Sequence, residues 1–441
     1  MKISAILIFA IATAANLGAQ TNSPANGTNA VLITPDFLTA LAEEARTNNA
    51  ALRASKARID AAKANEQSIR TWDDPMGRFG FMPAERSMRA DDGDLLFGVE
   101  QKLPLFGKPQ AMRRMAEAET KVENASAEMQ FQQLRRDMAL EIFQTALANR
   151  AVEIGGQDLA WLDVMEKTAK QRYEVGNASQ IDVLRLQNER AKRANELKTD
   201  EAMLAEKHAT LNRMLNRPLL APWPALALPE LAKPVTYNDR LLELAMKFEP
   251  KLKMLQQEIS RAEAAANSTR RQRKPDVAVG AEIRHFSETG DYRQGMLTLS
   301  MSLPWGNRKK YDADIRREEQ KQKAAELEAA DYGIGLRAEI HHLTTRIDSA
   351  RRQALLFHDE ISPRSQTALK SATGNWETGV GTLTDLLDTR RMLLEAQLNH
   401  ARAIAEQYQA LSDLVLCCGI GDLGSLQMIG ALPEEKSENK K

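Results

Sequence analysis

The side chains that could bind a metal ion or carry out catalysis are few and poorly grouped in this sequence. It contains 6 His, 2 Cys and 17 Met among 441 residues. His341 and His342 are adjacent, so on a helix they would point about 100° apart and could not readily chelate one ion. Cys417 and Cys418 are also adjacent, a spacing that rarely allows a disulfide. No His or Cys cluster has the spacing of a zinc site, and we predict no metal site and no cofactor.

The remaining polar residues indicate a protein that is not an enzyme. No nucleophile motif, phosphate-binding loop or paired-carboxylate site is present, and the acidic residues are spread over helix faces as solvated charge normally is. The 60 Lys and Arg residues balance the 60 Asp and Glu residues, so the basic surface typical of nucleic-acid binding is missing. We predict no nucleic-acid partner.

Two stretches repeat one arrangement of glycine, hydroxyl and carboxylate residues. They are residues 172–187, RYEVGNASQIDVLRLQ, and residues 375–390, NWETGVGTLTDLLDTR. Gly176 and Gly379 stand where a helix C-terminus favours a residue that tolerates positive φ. In both stretches a hydroxyl N-cap is followed three residues later by a carboxylate; the pairs are Ser179 with Asp182 and Thr382 with Asp385. Each stretch therefore predicts a helix end, a tight turn and a new helix.

The two turns belong to an internal two-fold sequence repeat at a spacing of 203 residues, as Asp182 and Asp385 illustrate. Each repeat contains a helix, a β-hairpin, a very long helix, the turn and a return helix. The repeats cover residues 36–216 and 237–423, with hairpins at 75–103 and 276–303 and long helices at 108–175 and 308–378. The Pro-rich residues 217–236 between them predict an irregular segment halfway along a rod.

The hairpins have a hydrophobic period of 2 instead of the helical 3.6. Phe79 and Phe81 alternate with Gly80, and Leu297 and Leu299 alternate with polar residues in the second hairpin. The predicted strands are about 8 to 10 residues long, which suits a tilted strand that crosses a bilayer. One face of each hairpin is therefore suited to lipid.

The ends of the chain predict processing and flexibility. Residues 1–19 have the layout of a cleaved secretory signal peptide, with an apolar run too short for a membrane span. Residues 20–35 predict a flexible lead-in, and residues 424–441 a charged C-terminal tail. The first helix is predicted as one element from Asp36, its N-cap, to about Trp72.

These elements predict a mainly α protein with a small β part. Four strands cannot close a barrel, and a bilayer does not tolerate open sheet edges, so several chains must share the strands. Three chains would give twelve strands, wide enough for a water-filled interior. The helices would continue this transmembrane β-barrel as a long antiparallel α-helical barrel of coiled-coil hairpins.

The chain resembles the TolC-type outer-membrane efflux ducts, or outer membrane factors, over nearly the whole length from about Asp36 to Leu423. The resemblance rests on the duplicated plan, the two turns, and the strand exits LPLFGK and LPWGNRK. It implies a homotrimer in the cell outer membrane, in contact with its lipid, that projects into the periplasm and exports small molecules or metal ions. The FGK exit is similar to the heavy-metal efflux branch.

The resemblance also implies partners and roles for the turns. A periplasmic adaptor would engage the tip, and an inner-membrane efflux pump would supply the energy. The expected tip residues are Gly176, Asn177, Ser179, Asp182, Gly379, Gly381 and Thr382. Asp385 and Asp388 match positions where the family places acidic rings that narrow the pore. Gly381 departs from the family's best-known closed duct, which has an arginine latch there.

Simpler interpretations compete with these roles. Asp182 and Asp385 fit helix caps, and Asp388 lies three residues before Arg391, the spacing of a surface ion pair. For the whole chain, the alternative is a secreted periplasmic coiled-coil adaptor or scaffold that does not span a membrane. The hairpins distinguish the two, because an adaptor has no use for strands with a lipid-suited face.

Overall fold

The computed structural model describes residues 30–81, 95–286 and 290–425. It is mainly helical with a small β part, which confirms the predicted fold class. The helices are α1 (Pro35–Asn48), α2 (Ala50–Ser68), α3 (Lys108–Glu174), α4 (Gln180–Met214), α5 (Asp239–Phe248), α6 (Pro250–Gln272), α7 (Arg308–Leu355), α8 (Ser362–Glu377) and α9 (Leu383–Cys418). The strands are β1 (Val31–Leu32), β2 (Met76–Phe81), β3 (Leu95–Leu103), β4 (Leu226–Ala227), β5 (Val277–Phe286) and β6 (Asp291–Met301).

The main sheet joins the two hairpins into four antiparallel strands in the order β2-β3-β5-β6. Phe79 lies opposite Phe97, which in turn lies opposite Ile283, so both hairpins contribute hydrophobic side chains to one face. This face is open, since Phe79 is 82% and Leu297 is 88% exposed. Within the described part of the chain, the outer edges of β2 and β6 pair with no further strand.

The opposite face of the sheet is polar and internally paired. Arg78 forms ion pairs with Glu100 and, at 2.9 Å, with Glu282. Ser300 donates a hydrogen bond of 2.8 Å to the other Glu100 oxygen. The two faces of the sheet therefore suit different surroundings, lipid on one side and water on the other.

Short connections carry the chain from the sheet straight into the long helices. Phe106 and Gly107 have φ values of 59° and 67° in the turn between β3 and α3. Arg271 donates to the Phe106 carbonyl at 2.8 Å, and Lys108 pairs with Asp276 at 2.8 Å. The start of α3 is thus tied to the second hairpin.

The first long helix, α3, is unbroken over 67 residues, which gives a length of about 100 Å. Gly155 lies within it and permits a close approach of α4. A Cβ added there would come within 3.0 Å of Arg193 and 3.1 Å of Leu197. The glycine pair at 155–156 therefore does not end the helix.

The second long helix, predicted as one element over 308–378, is interrupted. A π turn at Leu356–Ile361 separates α7 from α8. Pro363 has no N–H for the usual helical bond, and the Ser362 amide donates to the Phe357 carbonyl five residues earlier. The proline accounts for the wider turn, which the helical periodicity did not reveal.

The return helices stack end to end with shorter helices near the middle of the molecule. At the end of α4, Asn49 donates to the Met214 carbonyl at 2.8 Å, and Arg217 forms two hydrogen bonds of 2.7 and 2.6 Å with Glu44. At the end of α9, Gly419 packs against the Phe248 carbonyl. A shared core surrounds both junctions; it includes Phe143, Ile340 and Leu411.

Each repeat begins with two helices where the sequence predicted one. Asn49 breaks the first by capping α2, since its side chain accepts from the Ala51 and Leu52 amides at 2.9 and 3.3 Å. Glu249 breaks the second by capping α6 through the Leu252 amide. Asp36, predicted as the first N-cap, lies inside the first turn of α1, and Thr34 caps that helix instead.

The predicted flexible lead-in contains a short strand. Val31 and Leu32 pair in parallel with Leu226 and Ala227 from the Pro-rich segment. Two residues are too few to show a hydrophobic period, so this pairing could not be predicted from the sequence. The predicted signal peptide 1–19, the hairpin loop 83–93 and the tail beyond residue 425 lie outside the described residues.

None of the described helices combines the length and the hydrophobicity of a membrane-crossing helix.

We predict that Gly419→Ala destabilises the junction between α9 and α5. Gly419 has φ +60°, and a Cβ would lie 2.2 Å from the Phe248 carbonyl oxygen. The left-handed conformation alone costs a non-glycine residue about 1–2 kcal/mol, and the clash adds to that. Thermal unfolding of the purified protein, followed by helical circular dichroism, measures the loss. Gly421→Ala is the control, because a Cβ there meets nothing within 4 Å; equal melting of both variants would contradict the prediction.

Candidate functional site

Both predicted turns form, and they have the same hydrogen-bond pattern. Gly176 and Gly379 have φ values of 78° and 80°. The amide of Asn177 donates to the Arg172 carbonyl at 2.7 Å, and the amide of Val380 donates to the Asn375 carbonyl at 3.0 Å. These six-residue closures are Schellman motifs. The repeat in sequence is thus a repeat in backbone conformation.

The return helices begin with the predicted hydroxyl caps. Ser179 accepts from the Ile181 amide at 3.2 Å, and Thr382 accepts from the Asp385 amide at 3.1 Å. The Thr382 hydroxyl also donates to the Asp385 carboxylate at 2.7 Å. Thr382 is therefore the N-cap of α9, and the Asp385 carboxylate accepts from its hydroxyl; Asp182 lies in the first turn of α4, which Ser179 caps.

Arg172 joins the two turns. Its guanidinium group donates to the Trp376 carbonyl and, at 3.2 Å, to the Asn177 carbonyl. The same group lies over the Trp376 ring, 4.8 Å from its centroid, and Trp376 is only 4% exposed. The Arg172 guanidinium group thus binds a carbonyl from each repeat and holds the two turns side by side. All seven predicted tip residues lie in these turns or in the helix starts that follow them, and therefore at the same end of the molecule.

Sequence reasoning missed Arg172, although it lies within the repeated stretch. Its counterpart in the second repeat is Asn375, 203 positions later. This difference between the two repeats could have indicated the contact, because a long charged side chain in one repeat can reach the other repeat. Gly381 has no side chain for a latch, and a Cβ there would come within 3.0 Å of Asn375.

Asp388 is exposed and paired. Its carboxylate lies 3.4 Å from Arg391, which also contacts Glu189 on α4 at 2.6 Å. The surface ion pair is therefore present within one chain. A pore-lining role for Asp385 and Asp388 depends on neighbouring copies and stays a prediction.

A buried carboxylate connects three helices farther from the tip. Asp158 on α3 lies 2.9 Å from Arg390 on α9 and 3.4 Å from Arg193 on α4. Asp158 is 5% exposed, and Arg390 also stacks on Trp161 with 5.0 Å to the ring centroid. This cluster, here called the Asp158 clasp, lines a groove of about 730 Å³ between the three helices.

A second polar contact holds α4 against α3 nearer the tip. The hydrogen bond from Lys170, 2.6 Å long, holds the pKa of Glu166 below its usual value. Gln187 on α4 donates to the same carboxylate at 3.3 Å. The return helix is thus fastened by polar contacts as well as by the small core around Trp376, which includes Leu186 and Leu386.

Neither a metal-binding cluster of three or more ligands nor a reactive thiol is found in the described ranges. No group of three or more His, Cys, Asp or Glu side chains there is arranged to hold a metal ion. Cys417 and Cys418 are free thiols, and burial raises the pKa of each to about 12. Such thiols are largely protonated at neutral pH and therefore weak nucleophiles.

Comparison with known proteins identifies similar chains. Residues 241–419 match the family described as outer membrane efflux protein. The cobalt-zinc-cadmium resistance protein CzcC of Cupriavidus metallidurans is 21% identical over 390 residues, 86% of this chain and 89% of CzcC.

Two solved structures have the same fold. The outer membrane protein VceC of Vibrio cholerae superposes with a TM-score of 0.72 at 17% identity, over 88% of this chain and 97% of VceC. CusC superposes with a TM-score of 0.75 at 14% identity, over 88% of this chain and 93% of CusC. The fold of the described chain is therefore that of these membrane proteins.

We predict that Asp158→Asn loosens the packing of α4 and α9 on α3. The change leaves two poorly solvated arginines without their shared counter-charge, which costs about 1–3 kcal/mol. Thermal unfolding of the purified protein should show the loss. The control is Asp163→Asn, which breaks the more exposed pair with Arg190 between α3 and α4 and should cost clearly less. Equal stability of Asp158→Asn and the wild type would show that the clasp contributes nothing.

Proposed function

We propose that this chain, which over residues 241–419 belongs to the outer membrane efflux protein family, is the outer-membrane duct of a tripartite efflux system. It is a homotrimer that projects into the periplasm. It acts with a periplasmic adaptor and an inner-membrane pump, which supplies the energy. The duct itself is passive and has no enzymatic activity.

The observation that carries the proposal is the four-stranded sheet with one exposed hydrophobic face. On β6, Leu297 and Leu299 are 88% and 74% exposed, and on β2 Phe79 and Phe81 are 82% and 72% exposed. Large hydrophobic surfaces of this kind mark membrane or protein contacts. In a bilayer the sheet also needs its edges paired, and three copies satisfy both needs with twelve strands.

The reverse face of the sheet supports a water-filled interior. Each chain places Glu100, Glu282 and Arg78 there, two carboxylates for one guanidinium group. A closed barrel of three chains would direct these groups toward its lumen, because side chains alternate between the two faces of a strand. A secreted adaptor or scaffold would have no need for this division of the sheet.

The paired turns suit a contact with another protein. Val175, Ile181 and Val380 are 70%, 61% and 83% exposed around the two turns. Glycines lie between these hydrophobic side chains and leave the backbone accessible; they are Gly176, Gly379 and Gly381. We assign this end to the adaptor, which would bring the pump to the mouth of the duct.

The class of substrate is a cation or small molecule. The relative CzcC is a cobalt-zinc-cadmium resistance protein, which favours metal ions. Asp385 and Asp388 would add negative charge at the mouth in three copies, and rings of carboxylates favour cations in channels. Opening of the mouth would proceed by a shift of α8, α9 and α4 between two packings when the adaptor docks.

Membrane fractionation of cells that express the full chain tests the proposal. We expect a heat-sensitive trimer in the outer-membrane fraction that only detergent releases, and ion conductance when it is added to planar bilayers. Recovery as a water-soluble monomer would rule out the duct and favour the adaptor interpretation.

We predict that Asp385→Ala combined with Asp388→Ala raises single-channel conductance or weakens block by multivalent cations. The reason is that six carboxylates would be lost from the narrowest part of the trimer. The control is Asp348→Ala, which removes an acid paired with Arg352 on the same helix turn at 3.0 Å, far from the mouth. Conductance and block identical to those of the wild type would exclude both aspartates from the constriction.

A further inference from the structure

We propose that His358 and His400 bind one divalent transition-metal ion beside the π turn. His358 lies in the π turn and His400 on α9. The two ring centroids are 5.3 Å apart, with 38° between the ring planes. The proposal concerns a site in the protein itself and does not depend on what the duct exports.

The distance between the rings fits a shared ion. Imidazole nitrogens bind Zn²⁺ at 2.0–2.1 Å, and two of them at tetrahedral positions hold their ring centroids about 5 Å apart. The observed centroid separation of 5.3 Å is close to that value, so the two rings are spaced as a shared ion requires.

The neighbour of His358 prepares it as a ligand. Its Nδ1 lies 2.6 Å from the Asp359 carboxylate. Because an ionised carboxylate only accepts, Nδ1 carries the hydrogen, and Nε2 of the neutral ring is left with a free lone pair. A carboxylate that orients a histidine in this way is the usual second layer of protein metal sites.

The local backbone and charge also favour the site. The π turn is wider than an α-helical turn, and such turns occur frequently at functional sites. Arg150 on α3 acts electrostatically on His400, but it pairs with Glu153 at 2.6 Å, which offsets its charge. His358 and Asp359 are exposed, so an ion can enter from solvent.

Two protein ligands leave the other coordination positions to water. The site should therefore exchange its ion readily, and imidazole donors favour Zn²⁺, Cu²⁺ or Ni²⁺ over Mg²⁺ or Ca²⁺. A bound ion would join the π turn to α9. It would thus hold the second long helix of the repeat to its return helix at the point where that helix is interrupted.

Titration of the detergent-solubilised full chain with ZnCl₂ in an isothermal calorimeter tests the site. We expect one ion per chain in the wild type and a higher melting temperature with Zn²⁺ than with EDTA. His358→Ala, which changes an exposed side chain, should weaken binding at least tenfold and abolish the thermal shift. Asp359→Asn should weaken binding about 10- to 100-fold with both imidazoles retained.

The matched control removes two imidazoles elsewhere. His341→Ala with His342→Ala leaves the pair intact and should bind Zn²⁺ as the wild type does. Melting curves in EDTA show whether each variant is folded, so a lost site can be distinguished from a lost fold. Binding by His358→Ala at wild-type affinity would overturn the proposal, as would an equal loss of binding in the control.

Discussion

The backbone N–H and C=O groups on the outer edges of β2 and β6 need hydrogen-bond partners, and the arrangement of the rest of the molecule depends on how they find them. A bilayer offers these groups no water, and each one left unpaired there costs several kcal/mol. Because β2 and β6 run in opposite directions in this sheet, β6 of one copy can pair with β2 of the next. A ring of copies removes every edge.

The placement of the helices follows from the placement of the strands. After β3, only Pro104 and the short turn Leu105–Gly107 precede α3. After β6, the short turn Pro304–Asn307 likewise leads into α7. In the proposed ring of copies, the strands would therefore continue directly as helices. Toward the turns, the Asp158 clasp and Arg172 hold the return helices and both turns together within each chain by contacts between the repeats.

The sequence revealed the parts that rest on periodicity and on turn chemistry. The hairpins, α3 and both turns could be predicted because many residues repeat one pattern, and the duplication supplied each pattern twice. Breaks made by single residues were missed: Asn49 and Glu249 each cap a new helix with one side chain, and Pro363 lacks the N–H of a helical hydrogen bond. Arg172 and Asp158 were missed for another reason, since the contacts that they make across the repeats, with Trp376 and Arg390, span 204 and 232 positions and a local pattern does not report such contacts.

Disulfide cross-linking between the two sheet edges tests the shared barrel most directly. Phe79→Cys on β2 would be combined in turn with Leu297→Cys, Leu299→Cys or Met301→Cys on β6, because the stagger between copies decides which pair comes within the roughly 4–7 Å between Cα atoms that a disulfide requires. The account predicts that one combination oxidises to dimers and trimers with nothing larger, while each single variant stays monomeric on denaturing gels. Monomers at all three registers, or a ladder that continues beyond three chains, would contradict it.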